Sequence, residues 1–157
     1  QRLATTLTAI LETMFFFSPE EIWSGGGPSG GGQSGGGPSG SGPSPFLAAS
    51  EPCDTAVVEF EGPLRGRLAL RSPRAVSAVL AADFHGESPS AEDVGAVVLE
   101  LTNIVCGNLL SQLHAAEVFC LGAPLRWPEA GFEAAEAPQV AVRGADGWIA
   151  AWLQVSP

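Results

Sequence analysis

Residues 93–113 read DVGAVVLELTNIVCGNLLSQL, and the placing of this stretch decides the fold. At about 100° per residue, Val94, Val97, Val98, Leu101, Val105 and Leu109 fall in one wide stripe. The spacing therefore predicts a long α-helix with that stripe against a sheet. Ser90 and Asp93 supply the S-x-x-D start signal, and the helix is expected to run to about Ala115. Glu100, Asn103 and Gly107 lie together roughly 150° from the centre of the stripe, with Ala96, Leu99, Cys106 and Leu110 around them. A solvated face would carry lysines and glutamates. An acid and an amide set among apolar neighbours point instead to a docking surface.

The flanking segments supply what this helix packs on. Leu3, Leu7, Ile10, Leu11 and Met14 recur at helical spacing, so the chain opens on an amphipathic helix running into Phe15, Phe16 and Phe17. Residues 24–45, SGGGPSGGGQSGGGPSGSGPSP, have almost no side chains to bury and are expected to form a disordered internal linker. Treated as a flexible coil it spans about 25 Å, enough to let the first helix pack against the rest. Beyond it, TAVVEFE and LRGRLALR flank a Gly62-Pro63 turn and read as a hairpin. Ser72 before Pro73 suggests an N-cap and first turn, with Ala75, Val76, Val79 and Leu80 forming a short helix. After the long helix, EVFCLG, QVAVRG and WIAAWLQV read as strands, the last two joined by an Asp146-Gly147 turn. The order is α-ββ-αα-βββ. It describes an α+β fold, an antiparallel sheet with packed helices, as one domain over residues 1–157 with the linker between the first helix and the first strand.

Composition narrows the function. Seven basic against seventeen acidic residues give a net charge of −10, which argues against nucleic acid or an anionic membrane as partner, because both select a positive face. No uninterrupted apolar run approaches the ~18 residues of a membrane span, and the N-terminus lacks a secretory pattern, so a cytoplasmic protein is expected. Cys53, Cys106 and Cys120 are too scattered for a C-x-x-C pair and read as buried reduced thiols. His85 and His114 lack further ligands at suitable spacing, so neither a metal site nor a bound cofactor is expected. GPSGG and GQSGG fit the G-x-S-x-G expression literally, but neither follows a strand or opens a helix. No phosphate-cradling glycine motif precedes a helix. Trp127, Trp148 and Trp152 read as core or sheet residues, with an exposed edge-strand Trp as the alternative.

The long helix resembles the signature helix of the CheC/CheX/FliY phosphatases of bacterial chemotaxis, whose motif is E-x-x-N with a glycine one turn on. Here the matching positions are Glu100, Asn103 and Gly107. The hairpin VVEFEGPLRGRLALRSPRAV and the segment FCLGAPLRW extend the resemblance over most of residues 55–127. Members of the CheC kind carry a second motif. In the comparable first helix Glu12 is followed three residues later by Phe15, so the second amide is absent. A single motif is more similar to the CheX branch, whose members commonly dimerise, and the last hairpin or the 55–71 hairpin would offer the open edge for a homodimer.

The resemblance implies a substrate: the aspartyl phosphate of a CheY-like response regulator, with Mg²⁺ held by the regulator. It assigns Asn103 and Glu100 as catalytic, and it leaves Ala96, Leu99, Gly107 and Leu110 to contact the partner. An amide can hold a water in line with phosphorus without adding negative charge beside the phosphoryl group. Glu100 is suited to pair with a lysine of the regulator. The competing reading is a CheX-like binding or dimerisation module of a two-component system that hydrolyses nothing.

Overall fold

The computed structural model describes residues 1–15, 17–24, 51–86, 88–126 and 138–156. In chain order they form α1 (Arg2–Met14), β1 (Pro19–Ser24), β2 (Cys53–Glu61), β3 (Arg65–Pro73), α2 (Arg74–His85), α3 (Ala91–Leu113), β4 (Cys120–Leu121), β5 (Leu125–Arg126), β6 (Val140–Gly144) and β7 (Gly147–Ser156). The seven strands make one antiparallel sheet in the order β1-β6-β7-β3-β2-β4, with β5 also pairing β2. The expected α+β plan is the observed one, with two further strands.

Alternation along the central strands divides the core. Ala56, Val58 and Phe60 of β2, Leu68 and Leu70 of β3, Val140 and Val142 of β6, and Ile149 and Ala151 of β7 join the helices in one buried cluster. Residues one place along, Val57, Ala69, Ala141, Trp148, Ala150 and Trp152, form a second cluster on the opposite face, with Trp23 packed against it. Trp148 and Trp152 are thus sheet residues, and Trp148 Nε1 donates to Glu51 Oε1 at 2.9 Å. The β6–β7 turn closes on Gly147, whose φ of +138° favours glycine, as Asp146-Gly147 suggested. Trp127 and most of the 24–45 linker lie outside the described residues.

Several expectations need correction. The Gly-rich stretch does not join the first helix to the first strand, because β1 precedes it and pairs with β6. Ser72 does not cap α2. It continues β3 opposite Asp54, its hydroxyl lies 2.7 Å from that of Ser77, and α2 begins at Arg74. The strand read in EVFCLG shrinks to Cys120–Leu121, and β5 follows separately. Pro124, with no N–H to give to a ladder, stands between them. Neither hairpin named as an open edge is one. β3 and β7 pair with each other inside the sheet, β2 is covered by β4 and β5, and β6 by β1.

Leu110 was expected on the outer face of the long helix, and it is buried at 3 % exposure, as is Cys106 at 0 %. The cause is α1. Arg2 Nη1 donates to Gln112 O at 3.1 Å and Thr6 Oγ1 to Gln112 Oε1 at 3.1 Å, bringing α1 beside the C-terminal part of α3. Packed by β2, β3, α2 and α1, the helix is apolar on most of its circumference. By length and composition it reaches the range of a membrane span, although Glu100, Thr102 and Asn103 interrupt its apolar run. Its burial within the fold accounts for that composition, and among the described helices no other reaches it. Leu11, fully buried on α1, is part of this cover. Leu11→Ala is expected to cost about 2–5 kcal/mol. Urea unfolding followed by circular dichroism checks it.

Candidate active site

The long helix is anchored at its start by side chains that satisfy its free N–H groups. Ser90 Oγ accepts from Asp93 N at 3.2 Å, and Asp93 Oδ2 accepts from Ser90 N at 2.8 Å and from Ser90 Oγ at 2.7 Å, a complete capping box. The Ser90 hydroxyl first, and its N–H second, hold the Asp93 carboxyl below the ordinary carboxylate value.

Two to three turns further on, Glu100 is exposed and Asn103 half-buried, and they stand one turn apart on the same side of the helix. Exposed Ala96 and half-buried Leu99 and Gly107 share that side. Leu99 also packs on the core. Five of the six expected site residues are therefore brought together, and Leu110 is not. The neighbouring polar side chains are occupied by the helix's own carbonyls. Thr102 Oγ1 donates to Val98 O at 2.6 Å, Asn108 Nδ2 to Ile104 O at 2.9 Å, and Ser111 Oγ to Gly107 O at 2.8 Å. Among the described residues, Glu100 and Asn103 make no side-chain hydrogen bond or ion pair. An Asn can bond back to its own backbone, as Asn108 does, so an amide held off the backbone is available to a ligand.

The glycines differ in what they are for. A Cβ at Gly107 would meet nothing within 4 Å, so this chain's own packing does not require glycine there. A Cβ at Gly95, two turns before Asn103, would collide with the guanidinium of Arg126. Arg126 was not among the expected site residues. Its signal in sequence was only an arginine after the long helix, and its position depends on the β2–β5 register, which opposes Ala56 and Arg126.

The site offers no thiol or metal chemistry of its own among the described residues. Burial pushes the Cys106 thiol up to about 12, which leaves it protonated. No group of three or more His, Cys, Asp or Glu side chains is placed to hold a metal. His114 Nδ1 lies 3.1 Å from Glu117 Oε2 at the C-terminal end of α3, and the His85 ring stands edge-on to Phe84 at the end of α2. On α1, Glu12 is exposed but Phe15 is fully buried, so no second copy of the motif exists there.

An outward acid and amide on the core helix is the face that the E-x-x-N resemblance implies. The family model for the chemotaxis phosphatase CheX matches residues 55–141, more than half of the chain, and the chain belongs to that family. Among solved structures, it is similar over 99 % of its length to 96 % of a CheX chain from Borrelia burgdorferi, with a TM-score of 0.65 at 16 % identity. It is similarly close to CheX from Vibrio vulnificus, with a TM-score of 0.66, 15 % identity and coverage of 99 % and 94 %. CheX from Desulfovibrio desulfuricans gives 0.61 at 13 % identity, covering 99 % and 97 %. At these identities the structures show the shared fold. No curated protein matches the sequence.

The capping box makes the helix start pH-sensitive. Because the folded-state pKa of Asp93 is lowered, its contribution is present above the ordinary value near 3.8 and is lost as pH falls through the folded value. Ser90→Ala is expected to lower Tm by a few degrees at pH 7, a deficit that should persist down to the ordinary value near 3.8 and shrink only below it. Thermal melts of both proteins from pH 7 to pH 3 measure it.

Proposed function

We propose that this chain hydrolyses the aspartyl phosphate of a CheY-like response regulator in the cytoplasm, with Asn103 orienting the attacking water and Glu100 fixing the docked partner. The observation that carries the reading is the free amide of Asn103, outward on a helix where Thr102, Asn108 and Ser111 instead bond to the helix's own carbonyls. Membership in the CheX family supports the reaction class. The Borrelia burgdorferi relative is a complex of CheX with CheY, BeF₃ and Mg²⁺, which supports a partner of the same kind.

The chemistry asked of the chain is small. Water attacks phosphorus in line, the P–O bond to the aspartyl carboxylate breaks, the carboxylate is restored and inorganic phosphate leaves. The regulator's Mg²⁺ supplies charge neutralisation when bound. Asn103 contributes by holding the water with its amide oxygen or nitrogen, and a carboxylate there would be repelled by the phosphoryl oxygens. Placing one water accounts for about 10²-fold in rate, or about 3 kcal/mol. Glu100 pairs with a lysine of the regulator, and Ala96, Leu99 and Gly107 complete the contact.

Asn103→Ala is expected to abolish most of the acceleration of ³²P loss from a labelled CheY-like regulator while leaving Tm unchanged. Glu100→Ala should also weaken binding. Gly107→Ala separates fold from function: it should stabilise the protein by up to about 1 kcal/mol, because glycine is a poor helix former, and yet impair turnover by intruding on the docked partner. Binding to phosphorylated regulators without any acceleration would identify the non-catalytic module instead.

A further inference from the structure

We infer that Arg126 is a second docking charge, one that contacts an acidic group of the phosphorylated regulator and sets its orientation on α3. This deepens the phosphatase reading and rests on it. The register of β5 carries the side chain there: Arg126 opposes Ala56, whose side chain faces the helices, so the arginine turns to the same side and its guanidinium lies against α3 at Gly95. Gly95, Leu99 and Asn103 follow one another at four-residue intervals, so the guanidinium lies on the line that leads to the amide, about 12 Å up the helix axis.

Three features separate Arg126 from an ordinary surface arginine. It is exposed, and among the described residues its side chain has neither a hydrogen bond nor a carboxylate within ion-pair distance. The helix gives up a side chain at Gly95 to admit it, since any Cβ there would occupy the guanidinium's place. It also stands beside apolar Leu99, with exposed Ala96 next along the helix, in a chain of net charge −10 with only seven basic residues. The guanidinium beside Gly95 and the carboxylate of Glu100 thus flank Leu99 and Ala96, about 7.5 Å apart along the helix axis and roughly 140° apart around it. A partner whose charges run in the complementary order is attracted. The same partner turned through half a rotation meets like charges at both positions.

One acid lies nearby and supplies the rival role. Asp54 lines the same small cavity of about 100 Å³ as Gly95, Val98, Leu99 and Arg126, and its Oδ2 is buried without a hydrogen-bond partner. If Arg126 existed to neutralise Asp54, its charge would serve stability and leave the partner unaffected.

The test uses the full chain and a panel of purified CheY-like receiver domains from the source organism, activated with beryllofluoride and Mg²⁺ for binding or phosphorylated for turnover. Arg126→Gln keeps the aliphatic stem and removes the guanidinium and its charge; Arg126→Glu reverses the charge. Expected are a Kd and KM raised about 3-fold and about 10-fold respectively, with kcat retained at saturation, Arg126→Lys recovering most of the loss, and a salt dependence of Kd that is weaker in the Gln variant. Unchanged Kd and KM in Arg126→Glu, with wild-type binding intact, overturn the inference and leave the phosphatase reading standing. A fall in Tm on Arg126→Gln that Asp54→Asn reverses, with Kd unchanged, overturns it in favour of the Asp54 role. Wild-type protein that binds no activated receiver in the panel overturns both.

Discussion

A helix that is apolar around most of its circumference has to be covered on most of its circumference, and the fold is organised to do this for α3. The sheet takes the stripe of Val94, Val97, Val98, Leu101, Val105 and Leu109, α2 packs along one flank, and α1 returns from the other end of the chain to close over Cys106 and Leu110. Between Ala96 and Gly107 the surface left open is narrow: exposed Ala96 and Glu100, with half-buried Leu99, Asn103, Ile104 and Gly107. Burying the rest makes that strip rigid. Under the proposed function, an amide that holds one water in line with a phosphorus atom benefits from a backbone that does not move.

The division of labour among polar groups follows the same geometry. Serine, threonine and asparagine in a helix compete for its carbonyls, and Thr102, Asn108 and Ser111 each take one. Asn103 and Glu100 take none, and no neighbouring element supplies them with a partner among the described residues. Gly107 has the same character. It weakens the helix where nothing inside the molecule demands it, and an open helix face is gained in return. Under the proposed function, the docked regulator is what completes these three positions.

How much of this was legible beforehand differs by element. The long helix, its capping box and the two hairpins could be read because each is set by local spacing: Ser90 with Asp93, a stripe of period 3.6, and Asp146-Gly147 between alternating runs. The outward position of Glu100, Asn103 and Gly107 followed from the same period. The errors arose where distant parts of the chain decide the outcome. Leu110 and Cys106 sit on the outer side by angle alone, and only the arrival of α1, some hundred residues earlier in sequence, buries them. The apolar stripe Leu3, Leu7, Ile10 and Leu11 showed that α1 needed a partner without showing which. β1 is too polar and exposed to be recognised without β6, and Arg126 acquires a role only through a two-residue strand whose register depends on β2.

The pairing of β1 with β6 also sets a schedule for how the molecule is made. Ser24 pairs with Val140, and α1 packs over a helix that begins at Ala91. A ribosome adding roughly 5–20 residues per second separates those two strands by on the order of ten seconds. During that interval β3 lacks its neighbour β7, and the first strand has nothing to hydrogen-bond to. The sheet is completed only once β6 and β7 have been made. Such a nascent chain exposes its sheet edges longest just before the last hairpin emerges, and it folds with the slow kinetics of long-range contacts even though its helices are local.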